Sequence, residues 1–248
     1  MAQTSEWIVA EITPLSPTAR AIRFNASEKL SFFPGQFFML QFNLANKQGF
    51  KIPEGKEAVQ KRAFSISSSP LSDFVEITVK KTQNPFISSY LVDFLKVGEK
   101  VIAAGPYGRF YFNEKETENN LLLLGAGSGI APLISIIHYI SEKNFPINIV
   151  LLYSNKSETD ILWRKEIELL AEKNKFFRHL FTITQDINNN SWTGQRGRIT
   201  PRIIADYLSD SGKTDCYLCG PLEFVRNMEE MLLNLNIQKE KIKKEIYE

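Results

Sequence analysis

Residues 121–132 read LLLLGAGSGIAP, and the uncharged run they open continues through LISIIHYI to Ile140, twenty residues in all. That is the length of a membrane helix, yet the run carries its own interruptions. Gly125, Gly127 and Gly129 stand at alternate positions, and Pro132 suits the first turn of a new helix, where a missing N–H costs nothing. The flanks KETENN and SEKNF are not interfacial anchors. The run is expected to split into a buried strand, a glycine turn and a helix. In a parallel sheet such a turn lies at the carboxyl end of its strand, where the helix presents free N–H groups and its positive dipole end to a phosphate. The same pattern also fits a buried strand-turn-helix without a ligand. No Gly-Lys-Ser/Thr follows, so a phosphate-transferring P-loop is not supported.

Downstream, strand-like and helix-like stretches alternate: INIVLLYS, DILWRKEIELLAEK, HLFTIT, TPRIIADYLSD, CYLCG, LEFVRNMEEMLLNL and IKKEIY. This rhythm predicts a doubly wound parallel sheet with helices on both faces. Upstream, apolar residues alternate in short runs, EWIVAEI, ARAIRF, QFFMLQF, FVEITV and EKVIAA, with one helical interruption, ISSYLVDFL. Period two predicts β-strands, and five or six short strands predict a small antiparallel barrel or sandwich, since closure removes exposed edges. NLANKQGFKIPEGKEAVQ is the expected loop between two of them. YFNEKETENN is the natural linker, which divides the chain into domains 1–114 and 115–248.

Composition narrows the partners. Hydrophobic residues at 43% and charged residues at 23% are those of a folding globular chain. Thirty basic against 28 acidic residues leave +2, too small an excess for a phosphate-backbone binder, so no nucleic acid partner is expected. The N-terminus lacks a basic region followed by an apolar one, and two cysteines make no disulfide framework; both point to a reducing cytoplasm. No membrane span is expected.

The most specific stretch lies in the first half. KRAFSIS, residues 61–67, places Arg62, Phe64 and Ser65 on one strand, where an arginine suits a diphosphate, an aromatic a planar ring, and a serine its polar edge. Alternation puts Arg62 and Phe64 on one face and Ser65 on the other, so convergence needs a twist or a ligand at the strand end. With this stretch stand PGQF at 34–37, FISSYL at 86–91, GPYGRF at 105–110, GAGSGIAP at 125–132, CGP at 219–221 and EIY at 245–247. In that order these motifs resemble those of the ferredoxin-NADP reductase superfamily, with cytochrome reductases and oxygenase reductase components most similar over 120–221.

The resemblance implies an N-terminal Greek-key barrel binding flavin, FAD ahead of FMN, and a C-terminal domain binding NAD(P)H. It implies hydride transfer to the flavin, with Ser65 near flavin N5, Arg62 and Ser88 on the diphosphate, and Phe64, Thr78, Lys80, Ile87, Ser89 and Tyr247 completing the flavin site. For NAD(P)H it implies Gly125, Gly127, Ser128, Gly129, Pro132, Ser154, Lys156, Cys219, Gly220 and Pro221. Ser65, Cys219 and Glu245 are the implied catalytic groups. Two departures stand out: Phe64 replaces a tyrosine, and Pro85 stands where a glycine precedes the second flavin helix.

Cys216 and Cys219 form a C-x-x-C, but with only His138 and His179 elsewhere no zinc site is evident, and the two should point to opposite sides of a strand. Cys216 is expected in the core and Cys219 at a ligand-binding strand end. Lys80, Lys81, Lys239, Lys241, Lys243 and Lys244 read as a solvated face, or one that steers an acidic partner. For the coenzyme, Lys156 leans to NADPH and Gln185 to NADH. Two cysteines cannot hold a plant-type iron-sulfur cluster, so electrons must leave for a separate acceptor, a ferredoxin, flavodoxin or oxygenase component. Free flavin or a ferric chelate is the enzymatic alternative, and a catalytically inactive regulatory subunit the alternative of another class.

Overall fold

The computed structural model describes residues 3–26, 30–82, 85–186, 191–208 and 210–247. Every candidate site residue lies within them; of the expected helix TPRIIADYLSD, Ser209 lies outside the described residues.

The first half forms β1 (Gln3–Ser16), β2 (Ala19–Ala26), β3 (Phe37–Asn43), β4 (Val59–Ser65), β5 (Val75–Lys80), α1 (Phe86–Asp93) and β6 (Lys100–Tyr107). The strands pair antiparallel in the order β4-β3-β6-β1-β2-β5. The two edges then meet. An antiparallel bridge joins Ile66 to Ile77, and Ser67 N donates to Glu76 O at 2.7 Å, which closes the sheet into a barrel. Alternation decides which residues fill it: Phe38, Leu40 and Phe42 of β3 are buried inside, while Phe37, Met39 and Gln41 are half-buried outside. Trp7 is fully enclosed, its ring 5.7 Å from Phe24 and 4.7 Å from Phe38. Truncating such a ring to alanine costs about 3–5 kcal/mol.

The second half forms β7 (Asn120–Ala126), α2 (Ile130–Glu142), β8 (Asn148–Asn155), α3 (Arg164–Lys173), β9 (Phe177–Ile183), β10 (Gln195–Arg196), α4 (Pro201–Tyr207), β11 (Thr214–Pro221), α5 (Leu222–Asn234) and β12 (Ile242–Tyr247). All strands are parallel, in the order β10-β9-β8-β7-β11-β12. The uncharged run therefore divides as its glycines require, into β7, a 3-10 turn at Gly127–Gly129 and α2, with Pro132 in the first helical turn. Among the described residues no helix is long and apolar enough to cross a membrane.

The chain builds outward from β7 to β10 and then returns to place β11 on the other side of β7. The strand order thus reverses between β7 and β11, which makes their carboxyl ends the switch point of the sheet. One face packs Leu121, Leu123, Tyr217 and Cys219 under α2 and α3; the other packs Leu122, Leu124, Cys216 and Leu218 under α4 and α5. The two cysteines accordingly point to opposite faces.

One element departs from the periodicity. The helical pattern begins at Asp160, but α3 begins at Arg164, because Glu158–Asp160 make a 3-10 turn and Trp163 takes a left-handed backbone with φ 61°. That conformation is uncommon for a side-chain-bearing residue. Here it accompanies a contact across the seam between the sheets, where Trp163 Nε1 donates to Thr78 Oγ1 of β5 at 2.9 Å.

Candidate active site at the seam between the two sheets

The barrel strand β4 ends at Ser65, which is 7% exposed, and the last strand β12 reaches it from the other sheet. Ser65 Oγ donates to Glu245 Oε1 at 2.6 Å, and Tyr247 OH donates to Ser65 Oγ at 2.6 Å. The result is a relay from phenol to hydroxyl to carboxylate. Parallel pairing fixes why these groups meet: β12 lies beside β11 in a register that sets Glu245 opposite Cys219 and Tyr247 opposite Pro221. Cys219 is fully buried, and Tyr247 packs against the core that contains it.

Burial sets the protonation of this cluster. It raises the Glu245 carboxyl above its ordinary value, against the opposing hydrogen bonds from Ser65 and Tyr247. It raises the Cys219 thiol well above the ordinary thiol range, and the Glu245 charge adds to that rise. The Tyr247 phenol is raised for the same reason. Cys219 is therefore a neutral thiol, not a nucleophile.

The glycine turn lies at the same end of the sheet. A Cβ at Gly129 would meet Cys219 O at 2.2 Å and Gly220 N at 2.8 Å, so this glycine exists to let the turn pass against the end of β11. A Cβ at Gly125 would meet Leu133 Cδ1 at 3.0 Å. Packing alone requires a glycine at position 129 and leaves little room for a side chain at 125. Gly127 differs: its φ is +55°, and nothing lies within 4 Å of the Cβ position. Tyr153 OH supports the turn from below, donating to Gly127 O at 2.7 Å. Ser128 is half-buried in the turn, and α2 starts without an acidic residue in its first turn. A Cβ at Gly220 would meet Phe224 Cδ1 at 3.0 Å and Ala126 Cβ at 3.1 Å, and Pro221 precedes α5 as its N-cap. Ser154, half-buried, pairs with Ala126 and Thr182, while Lys156 is exposed and its carbonyl accepts from Gln185 N at 2.9 Å.

Of the barrel candidates, Arg62 is exposed and donates to its neighbour's carbonyl, Lys61 O, at 2.7 Å. Phe64 stands edge-on to Phe42 at 6.0 Å and packs against the barrel core. Arg62 and Phe64 thus share one face and Ser65 holds the other, as alternation requires; what reaches Ser65 is β12. Ile87, Ser88 and Ser89 open α1 behind Pro85; Ser88 Oγ accepts from Thr82 N at 3.2 Å, and Ser89 Oγ donates to Asp93 Oδ2 at 3.3 Å. Thr78 and Lys80 stand at the seam, Thr78 accepting from Trp163 and Lys80 paired with Asp160 at 2.6 Å.

Of the lysines expected on a solvated face, Lys239 and Lys244 are exposed, whereas Lys80, Lys81, Lys241 and Lys243 are half-buried, which corrects the expectation for those four. Lys81 pairs with Asp93, Lys241 with Glu118 at 2.9 Å and Lys244 with Glu229 at 2.6 Å. Lys243 is turned inward, donating to Tyr111 O at 3.1 Å and Tyr217 OH at 3.0 Å, and desolvation lowers its pKa.

Some residues of the site gave no sequence signal. Asn155, at the carboxyl end of β8, is 4% exposed, and neither its amide nitrogen nor its amide oxygen has a hydrogen-bond partner. Such a buried, unsatisfied amide calls for a partner. Asp160 and Trp163 were equally silent, because their partners lie in the other half of the chain. Among the described residues no group of three His, Cys, Asp or Glu side chains is placed to hold a metal ion.

Comparison with known proteins fits this geometry. Residues 6–112 match the oxidoreductase FAD-binding domain and residues 123–230 the oxidoreductase NAD-binding domain. The chain is 33% identical over 156 residues to cytochrome b5 reductase 4 of Bos taurus, covering 61% of this chain and 29% of that one. It is 30% identical over 223 residues to the toluate 1,2-dioxygenase electron transfer component of Pseudomonas putida, covering 90% of this chain and 61% of that one. It thus spans less than two thirds of either relative's length. Its fold is shared with the flavohem-like FAD/NAD binding domain of nitric oxide dioxygenase from Vibrio cholerae O1 biovar El Tor, at TM-score 0.84, 23% identity and 98% coverage of both chains.

Proposed function

Because the chain belongs to the ferredoxin-NADP reductase family of oxidoreductases, with an FAD-binding and a NAD-binding domain in series, we propose that it takes a hydride from NAD(P)H onto FAD and passes electrons to a separate acceptor. We assign residues 1–114 to the flavin-binding unit and 115–248 to the NAD(P)-binding unit. The observation that carries this reading is the junction of Ser65 with Glu245 and Tyr247, because it brings the barrel strand and the switch point of the parallel sheet to one place.

The residues present fit the two ligands. Gly127 is open, α2 begins without acidic side chains, and Asn155 keeps an unpartnered buried amide at the adjacent strand end. On the barrel side, Arg62 is exposed for a diphosphate and Phe64 offers a ring. Flavin, once bound, supplies the chemistry of accepting a hydride and releasing electrons one at a time.

The chain's own groups align and insulate. Ser65 holds a hydroxyl proton at the barrel end, and Glu245 keeps it oriented. Tyr247 covers Cys219, which as a neutral buried thiol supplies shape and polarisability rather than charge. Arg62, Ser88 and the first turn of α1 are assigned to the flavin diphosphate, and Gly127, Ser128, Ser154 and Gly220 to the coenzyme. Alignment of this kind is the protein's main contribution to such a reaction.

For the acceptor, the relatives named as electron transfer components support a small redox protein such as a ferredoxin or flavodoxin, or an oxygenase component. The test is NAD(P)H oxidation with a plant-type ferredoxin, with riboflavin and with a ferric chelate in parallel. Saturation by ferredoxin supports this reading; turnover on riboflavin or the chelate alone replaces it with a free-flavin or ferric reductase.

A further inference from the structure

The strand that carries Ser65 runs on into a second, buried connection between the two halves. Ser67 O lies 3.1 Å from His138 Nδ1, and Ser68 O accepts from Ser135 Oγ at 2.7 Å. Both partners sit on α2, the helix that begins at the glycine turn. The other imidazole nitrogen, His138 Nε2, lies 2.8 Å from Glu166 Oε1 of α3, an ion-pair contact without hydrogen-bond alignment. Beneath Ser67 lies Glu76 of β5, 2% exposed, which accepts from Ser67 Oγ at 3.1 Å and from Arg23 Nε of β2 at 2.8 Å. Ser68 Oγ in turn accepts from Glu76 N at 3.0 Å. The charged groups facing His138 are therefore Glu166 from α3, Glu76 from β5 and, behind Glu76, Arg23 from β2. The Trp163 ring stands edge-on to the imidazole at 6.1 Å.

The two nitrogens of His138 face a carbonyl oxygen and a carboxylate oxygen, and neither partner can donate. A neutral imidazole carries one N–H, so it satisfies one of these acceptors and sets a lone pair against the other. Only the imidazolium can offer an N–H to the carbonyl and at the same time set a positive charge beside the carboxylate. Two carboxylates nearby favour the same state, and they outweigh the desolvation that opposes it. Loss of the proton therefore releases either Ser67, which is two residues from Ser65, or Glu166.

We propose that His138, as imidazolium, is a positioning residue that holds α2 and its glycine turn against the 65–69 segment, so that its deprotonation loosens the seam across which the two cofactors meet. This rests on the reductase reading, because the role is the spacing of two ligands. The effect should appear in the rate of hydride transfer more than in coenzyme affinity, since His138 itself sits a helix turn or more from the glycine turn.

The test begins with a nitrogen-15 NMR titration of the flavin-loaded protein, without coenzyme. The chain has two histidines, and His138→Gln assigns the signals. His138 should be doubly protonated at neutral pH and titrate above the ordinary imidazole range, whereas desolvation places His179 below it. Glu166→Gln should move the His138 transition to lower pH. Anaerobic single-turnover reduction by NADH and by NADPH, over the same pH range, should lose rate where His138 loses its proton, and Glu166→Gln should move that limb with it. In His138→Gln the limb should vanish, with the limiting rate about tenfold lower and coenzyme affinity within about threefold of wild type. A neutral His138 at pH 7, or a rate profile identical in all three proteins, overturns the proposal. Wild-type protein whose flavin neither coenzyme reduces overturns the reductase reading instead, and the imidazole titration still reports whether the seam is clamped as described.

Discussion

Tyr247 OH donates to Ser65 Oγ at 2.6 Å across 182 positions of sequence, and the Ser65 hydroxyl in turn donates a hydrogen bond to Glu245. The barrel and the parallel sheet are therefore joined at the place where each ends a strand. Disturbing this relay should affect both the junction and the chemistry assigned to it.

Replacing Ser65 by alanine removes the donor to Glu245 and the acceptor of Tyr247 together, and leaves two half-buried polar groups unpaired. The expected cost is about 1–3 kcal/mol of stability. Flavin reduction by NAD(P)H should slow by about 10- to 100-fold, since each 1.4 kcal/mol at the barrier is tenfold in rate. Denaturant unfolding and stopped-flow absorbance measure the two effects. Unchanged values for both would remove Ser65 from the site.

Glu245 makes a prediction of opposite sign for stability. Its folded-state pKa is raised by burial, so the folded protein favours the protonated carboxyl. That contribution is fully present below the unfolded carboxylate pKa and is lost as pH rises through the folded value. At neutral pH the ionised side chain therefore opposes folding. Glu245→Gln should raise the melting temperature at pH 7–8 and leave it nearly unchanged at pH 4, while lowering the rate of flavin reduction. A lower melting temperature at pH 7–8 would contradict the assignment.

The glycines of the nucleotide turn should separate by position. Gly129→Ala places a methyl group 2.2 Å from Cys219 O, backbone against backbone, and should destabilise the protein by about 3 kcal/mol or more. Gly127→Ala meets no atom but must hold φ +55°, at about 1–2 kcal/mol. It should weaken coenzyme binding more than it weakens the fold. Thermal melts with and without NAD(P)H distinguish the two.

Both thiols should be silent in the native protein. Cys216 is fully buried and pushed up to about 12, and Cys219 is buried and raised further by the Glu245 charge. A thiol-specific chromogenic disulfide at pH 8 should react with neither until denaturant is added, and then with both. Rapid labelling of Cys219 in the folded protein would show that Tyr247 does not cover it.

Much of this molecule was legible in its sequence, for identifiable reasons. Phe38, Leu40 and Phe42 alternate with half-buried neighbours because one face of β3 is packed, and alternation reports one-sided burial directly. The division of residues 121–140 follows from three glycines and a proline, whose backbone needs are local. The opposite faces of Cys216 and Cys219 follow from the period of a strand. Contacts across the seam were not legible. His138 with Ser67 spans 71 positions, and Trp163 with Thr78 spans 85; no local pattern encodes either. Trp163, which makes that contact, stands with a left-handed backbone immediately before α3, so the helix starts later than its periodicity. The family resemblance named Ser65, Glu245 and Tyr247 separately, and only the packing of β12 against the end of β4 shows them as one hydrogen-bonded group.

Reduction of a bound flavin by a nicotinamide coenzyme at this seam would be seen in the visible absorption spectrum of the purified protein before and after anaerobic addition of NADH and, separately, NADPH. Flavin bands that bleach with one coenzyme or both are the expected result, and the faster coenzyme sets the preference. A colourless protein that binds neither added FAD nor added FMN, and oxidises neither coenzyme, would contradict the account.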